Sequence, residues 1–80
     1  MITVQAKLFA TLRRYYPELA IGEAMTVDLA DDATVEELLE KLDLPRDEVK
    51  VVFVNGVIQK PQYSLSDGDE IGIFPPVGGG

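Results

Sequence analysis

Thr34-Val35-Glu36-Glu37-Leu38-Leu39-Glu40-Lys41-Leu42 decides the fold, because it is the clearest helical period in a chain of alternating strands and turns. Val35, Leu38, Leu39 and Leu42 fall at i, i+3, i+4 and i+7 and form one apolar stripe. Glu36, Glu37, Glu40 and Lys41 line the other side. Thr34 followed three residues later by Glu37 predicts a capping box, in which hydroxyl and carboxylate each satisfy a backbone donor at the helix start. Asp31 and Asp32 suit the positive end of the helix. Asp43-Leu44-Pro45 is expected to end it, since the residue before a proline is pushed out of the α region. A helix this short is marginal in water, so its stripe must be buried on a sheet.

The sheet is read outward from that helix. Ile2-Thr3-Val4-Gln5-Ala6-Lys7-Leu8 alternates strictly and predicts a half-buried strand with Ile2, Val4, Ala6 and Leu8 inward. Phe9 to Tyr16 loses the period of two, and Phe9, Leu12, Tyr15 and Tyr16 are spaced for a short helical turn over the sheet edge. Met25-Thr26-Val27-Asp28-Leu29 alternates again, as a second strand antiparallel to the first. Lys50-Val51-Val52-Phe53-Val54 is nearly all apolar, as in a central strand covered on much of both faces. Asn55-Gly56 then predicts a tight hairpin into Val57-Ile58. Ser66-Asp67-Gly68-Asp69 is a turn feeding a last strand, Glu70-Ile71-Gly72-Ile73-Phe74. With the helix as a right-handed crossover, the first and last strands lie side by side in the centre. The expected fold is α+β, a β-grasp (ubiquitin-like) mixed sheet of about five strands on one main helix. Residues 1–74 form the domain, and 75–80 a flexible C-terminal Gly-Gly tail.

Composition narrows the function. Eighty residues make one small domain. Seven Lys and Arg against 14 Asp and Glu give a net charge of −7, which disfavours nucleic acid and favours a complementary basic protein face. The chain has no Cys and no His, so it lacks a thiolate, a disulfide and the usual general base near neutral pH. The acidic clusters Asp31-Asp32, Glu36-Glu37 and Asp67-Asp69-Glu70 read as helix-start and turn chemistry rather than a metal site. Arg13-Arg14 and Lys60 read as solvated charges. The opening strand carries no basic and apolar leader pattern, and no run is long enough to span a bilayer, so a cytoplasmic protein is expected.

The chemistry is left to Phe74-Pro75-Pro76-Val77-Gly78-Gly79-Gly80. Two prolines prevent the last strand from continuing in a ladder. Three glycines then end the sequence without side chains, a thread able to enter a channel that a Cβ would block. Pro75 to Gly80 spans at most ~20 Å when extended. A frayed end or an expression scar is the plain alternative. Phe74 falls on the outward side of the alternation, as does Phe53 on its neighbour; both are candidate partner anchors, or side chains that simply pack over the sheet edge.

With fold and tail together, the chain resembles the MoaD/ThiS family of ubiquitin-like sulfur carriers, and within it the small subunit of molybdopterin synthase. The likeness rests on Val54-Asn55-Gly56, on Leu65-Ser66-Asp67-Gly68-Asp69-Glu70, on Phe74-Pro75-Pro76-Val77 and on Gly79-Gly80. Gly78 stands where relatives often carry another small residue. The resemblance implies that Gly80, with Gly79 before it, is the reactive end. A ubiquitin-activating-like adenylating enzyme uses ATP to activate the carboxylate, and a sulfur donor converts it to a thiocarboxylate. The chain itself binds no cofactor and is no enzyme alone. It also implies that the large subunit of molybdopterin synthase receives the tail, with Phe74, Pro75, Pro76, Val77 and Gly78 as contacts; Phe53 joins them as a candidate from the alternation alone.

Three other functions stay open on the sequence: a carrier for another sulfur product such as thiamine thiazole or cysteine, a protein modifier conjugated through Gly80, and a binding module with an inert tail. Pro75-Pro76 weighs against the thiazole carrier.

Overall fold

Strict alternation in the first strand is realised over Ile2–Leu8 (β1), where Val4, Ala6 and Leu8 are buried and Lys7 is exposed. The computed structural model describes residues 1–76. Within them the other strands are Met25–Leu29 (β2), Val51–Val54 (β3), Val57–Gln59 (β4) and Glu70–Phe74 (β5), and the helix is Val35–Lys41 (α1). Short 3₁₀ helices cover Ala10–Tyr15 and Arg46–Glu48. The sheet order is β2-β1-β5-β3-β4. β1 and β5 run parallel in the middle, and the other neighbours are antiparallel. This is the β-grasp arrangement. No helix of the described residues is long and apolar enough to cross a membrane.

Helix α1 lays its stripe on one face of the sheet. Val35, Leu38 and Leu39 are buried together with Val4, Ala6, Val27, Val52, Ile71 and Ile73. Each fully buried aliphatic side chain contributes about 1.5–3 kcal/mol relative to exposure. The capping box is present: the Glu37 backbone N–H donates to Thr34 Oγ1 at 3.2 Å, and the Thr34 N–H donates to Glu37 Oε1 at 2.9 Å. The next two free helix donors are met by the connector after β4, with Val35 N–H on the Tyr63 carbonyl and Glu36 N–H on the Pro61 carbonyl. The helix start is thereby stitched to the segment that leads into β5.

Proline does not end the helix. Asp43 takes a left-handed conformation, φ 58°, and donates its N–H to Glu40 O, while Leu44 N–H reaches back to Leu39 O. That pair of bonds is the Schellman stop, and Pro45 lies beyond it. The connection after β1 also differs from expectation. Leu12 is fully buried, and Tyr15 and Tyr16 pack against the core, but Phe9 remains extended and belongs to the opposite face. Nor is β3 the central strand of the sheet. It lies second from the edge, with Val52 and Val54 buried and Val51 and Phe53 only half-buried.

Candidate functional site

The face of the sheet away from α1 carries an aromatic stripe at the root of the tail. On β5 the alternation buries Ile71 and Ile73 and turns Glu70, Gly72 and Phe74 outward. Phe74 stacks on Phe9, with ring centroids 4.2 Å apart and planes 1° from parallel. Phe53 meets Phe74 edge-on at 5.4 Å and 70°. Such contacts contribute about 0.5–1.5 kcal/mol each beyond burial. Phe53 is in register with Gly72 on one side and with Ile58 on the other. Ile58 keeps 61% of its surface exposed, so the stripe runs off the sheet edge uncovered.

Gly72 makes the stripe possible. A Cβ there would lie 3.2 Å from Phe9 Cε2 and 3.4 Å from Phe74 Cε1, so any side chain would push against the stacked pair. Phe9, Phe53, Gly72 and Phe74, with Lys7 and Glu70 beside them, line a shallow groove of about 790 Å³. An apolar centre with a charged margin is the anatomy of a protein contact.

The turns at the far end hold the stripe's strands in register. Asn55 and Gly56 both take positive φ, 52° and 85°, as a two-residue hairpin joining paired Val54 and Val57 requires. The Asn55 side chain also bridges to β5: its Nδ2 donates to Asp69 Oδ1 at 2.9 Å, and its Oδ1 accepts the Glu70 N–H at 2.9 Å. Asp69, 8% exposed, accepts a further bond from the Ser66 N–H at 2.7 Å. Asp67 Oδ1 accepts from the Thr3 N–H at 2.8 Å. These carboxylates therefore brace turns. Among the described residues no cluster of His, Cys, Asp or Glu is placed to hold a metal ion.

At the other end of β5, the Lys50 N–H donates to the Phe74 carbonyl at 2.8 Å. Pro75 has no N–H to extend the ladder. Pro75 is half-buried and Pro76 exposed. Phe53, Phe74, Pro75 and Pro76 thus lie together where the chain leaves the sheet. Val77, Gly78, Gly79 and Gly80 lie outside the described residues. Phe74 faces outward and also packs, so the two readings of it describe one ring. Phe9, Gly72 and Ile58 were not singled out from the sequence. Carrying the alternation of β1 one residue further places Phe9 outward, and a glycine between two outward positions of β5 signals close approach.

Comparison with known proteins gives a consistent picture. The sequence model of the ThiS family matches residues 6–80. No curated protein sequence matches the chain. A Pyrococcus furiosus structure described as molybdopterin converting factor, subunit 1, is similar at 25% identity and a TM-score of 0.75, covering 96% of this chain and 100% of that one. Small archaeal modifier protein 1 of Haloferax volcanii is similar at 27% identity and a TM-score of 0.77, covering 96% and 100%. A chain of the complex of subunits 1 and 2 of the molybdopterin-converting factor from Helicobacter pylori 26695 has a TM-score of 0.63 and covers 99% and 100%; at 20% identity that likeness shows the fold alone.

Proposed function

The chain belongs to the ThiS family, and from that premise we propose that it is a sulfur carrier, specifically the small subunit of a molybdopterin synthase. The observation that carries the reading is a family match running through Gly80, on a β-grasp body whose aromatic stripe ends where the tail begins. The Gly80 carboxylate attacks the α-phosphate of ATP on an adenylating partner and releases pyrophosphate. The terminal sulfur of a persulfide on a donor protein then displaces AMP to give an acyl disulfide. A thiol cleaves its S–S bond, leaving the thiocarboxylate on Gly80 and a disulfide on the donor side. This gives a cysteine-free chain a soft, anionic sulfur. The large subunit receives the tail, and the sulfur passes to a pterin precursor. Half-buried Phe53, exposed Ile58 and the Phe9–Phe74 stack form the docking surface, while Pro75 and Pro76 hold the exit extended.

Extending the chain tests the reading. Residues appended after Gly80 remove the reactive carboxylate but touch no part of the folded body. Sulfur loading is expected to be lost while the thermal melt stays that of the unextended chain. Normal loading of the extended chain contradicts it.

A second reading is favoured by the likeness to small archaeal modifier protein 1. The same activated carboxylate would then be attacked by a lysine amine to give an isopeptide bond with release of AMP. Higher-mass conjugates that vanish on removal of Gly79 and Gly80 distinguish it.

A further inference from the structure

The sheet releases β5 unevenly at the root of the tail. On the β3 side, Phe74 is in register with Val51, and its carbonyl accepts the Lys50 N–H at 2.8 Å. On the β1 side, the last backbone bond among the described residues runs from the Phe9 N–H to the Ile73 carbonyl at 3.1 Å. The next rung of that parallel ladder would run from the N–H of residue 75 to the Phe9 carbonyl. Pro75 has no N–H to give. The Phe9 carbonyl instead accepts from the Leu12 N–H at 3.2 Å, within the 3₁₀ turn. Where the rung is missing, the Phe9 ring lies flat on the Phe74 ring, 4.2 Å away. Phe53 does not duplicate this tie, because it meets Phe74 edge-on from the β3 side, where the backbone already holds. Phe9 is itself firmly based, with an extended backbone and fully buried Leu12 three residues on.

We infer that Phe9 is a positioning residue: its ring replaces the ladder bond that Pro75 forbids and fixes the direction in which the tail leaves for adenylation of Gly80. The inference deepens the sulfur-carrier reading and rests on it. A proline lets the chain leave the sheet, yet it also unties the end of β5 from β1. Without the stack, Phe74 and Pro75 hinge on β3 alone. With it the root is fixed, and Pro75-Pro76 carries that direction about 6 Å further as stiff extended chain. A tail aimed before docking loses less freedom on entering the adenylating enzyme's channel, so more docked carriers hold their carboxylate at the nucleotide. A ring–ring contact of this kind shifts such an equilibrium about two- to tenfold. Loss of a docking contact alone raises KM, whereas misdirection of the tail lowers kcat at saturating carrier.

The test uses the full chain as Phe9→Leu, which stays apolar but has no ring to stack, and as Phe9→Tyr, which keeps the ring. Amide hydrogen exchange is first followed by NMR on the carrier alone. The reporters are the Lys50 amide, bonded to the Phe74 carbonyl, and the Leu38 amide, bonded to Thr34 in the helix start. Phe9→Leu is expected to speed Lys50 exchange about two- to tenfold relative to Leu38, and Phe9→Tyr to keep it at the wild-type rate. Phe74→Leu removes the same stack from its other partner and is expected to speed Lys50 at least as much. ATP–pyrophosphate exchange is then measured with the purified adenylating enzyme over a range of carrier concentrations. The kcat of Phe9→Leu is expected to fall by about the same factor, and that of Phe9→Tyr to match the wild type. Unchanged Lys50 exchange, or equal acceleration at Lys50 and Leu38, overturns the positioning role. So does a Phe9→Leu chain with raised KM and unchanged kcat, because its ring then only docks. A wild-type chain that the enzyme does not activate overturns the sulfur-carrier reading, and with it the role in adenylation, even where the Lys50 amide behaves as expected.

Discussion

Phe9 and Phe74 stack face to face across the parallel pair β1 and β5, with centroids 4.2 Å apart and planes 1° from parallel, at the last residue before the prolines. The stack ties the start of the 3₁₀ turn to the exit of the tail, and only the absence of a side chain at Gly72 allows it. Gly72→Ala demands a shift of a few tenths of an ångström from rings on a partly open face. It is expected to change stability by less than about 1 kcal/mol, since the alanine also reduces unfolded-chain freedom. Gly72→Val is expected to cost about 1–3 kcal/mol through overpacking. Chemical denaturation of both variants checks the order, and equal stability of the two would contradict the packing described.

Asn55 works through both its backbone and its side chain. Asn55→Gly keeps the positive φ and removes the bridge to Asp69 and Glu70, so the nearly buried Asp69 carboxylate retains only the Ser66 N–H. A loss of about 1–3 kcal/mol is expected. Asn55→Asp sets a second carboxylate against Asp69. Mutual repulsion raises the folded-state pKa of the pair, so the deficit relative to wild type is largest at neutral pH and shrinks as pH falls through the carboxylate range. Denaturation at neutral and acidic pH reads the sign.

The helix supports the sheet face that opposes the site. Thr34→Ala removes one half of the capping box and is expected to cost about 0.5–2 kcal/mol. Leu38→Ala empties a fully buried position and is expected to cost about 2–5 kcal/mol. Leu38→Asp should leave no cooperative melt, because an unpaired carboxylate cannot occupy that site. Circular dichroism melts check all three.

Tyr16 reports the alkaline limit. Its hydroxyl donates to the Leu42 carbonyl at 2.8 Å, just before the Schellman stop. Burial, with Asp43 and Glu18 nearby, raises its pKa above the ordinary 10.0. The folded state therefore favours the protonated phenol. That contribution is complete below the unfolded pKa and disappears as pH rises through the folded one. Spectrophotometric titration should show one tyrosine ionising late, and Tyr16→Phe should abolish that phase while costing about 0.5–1.5 kcal/mol at neutral pH. A titration of the wild type with no late phase would contradict this.

Much of this was legible in the sequence because two periodicities and two turn signals agree. The stripe Val35-Leu38-Leu39-Leu42, the alternation of β1 and the Asn55-Gly56 turn each fix local geometry, and the crossover rule orders the strands. Phe53 and Phe74 were legible as outward aromatics. Their joining with Phe9 was not, because Phe9 stands where the period of two gives way to the 3₁₀ turn and fits either pattern. The helix stop was assigned to Pro45 because proline is a loud signal, whereas an aspartate in the left-handed region at position 43 has no distinctive pattern.

The central claim concerns Gly80, and intact-mass spectrometry addresses it most directly. The full chain is incubated with its adenylating enzyme, ATP and a sulfur donor, then fragmented to locate any change. A sulfur carrier gains the mass of one oxygen-to-sulfur exchange, confined to the C-terminal glycine and dependent on ATP. An unchanged mass, with an activating enzyme shown to be competent on the chain by pyrophosphate release, would contradict the sulfur-carrier function.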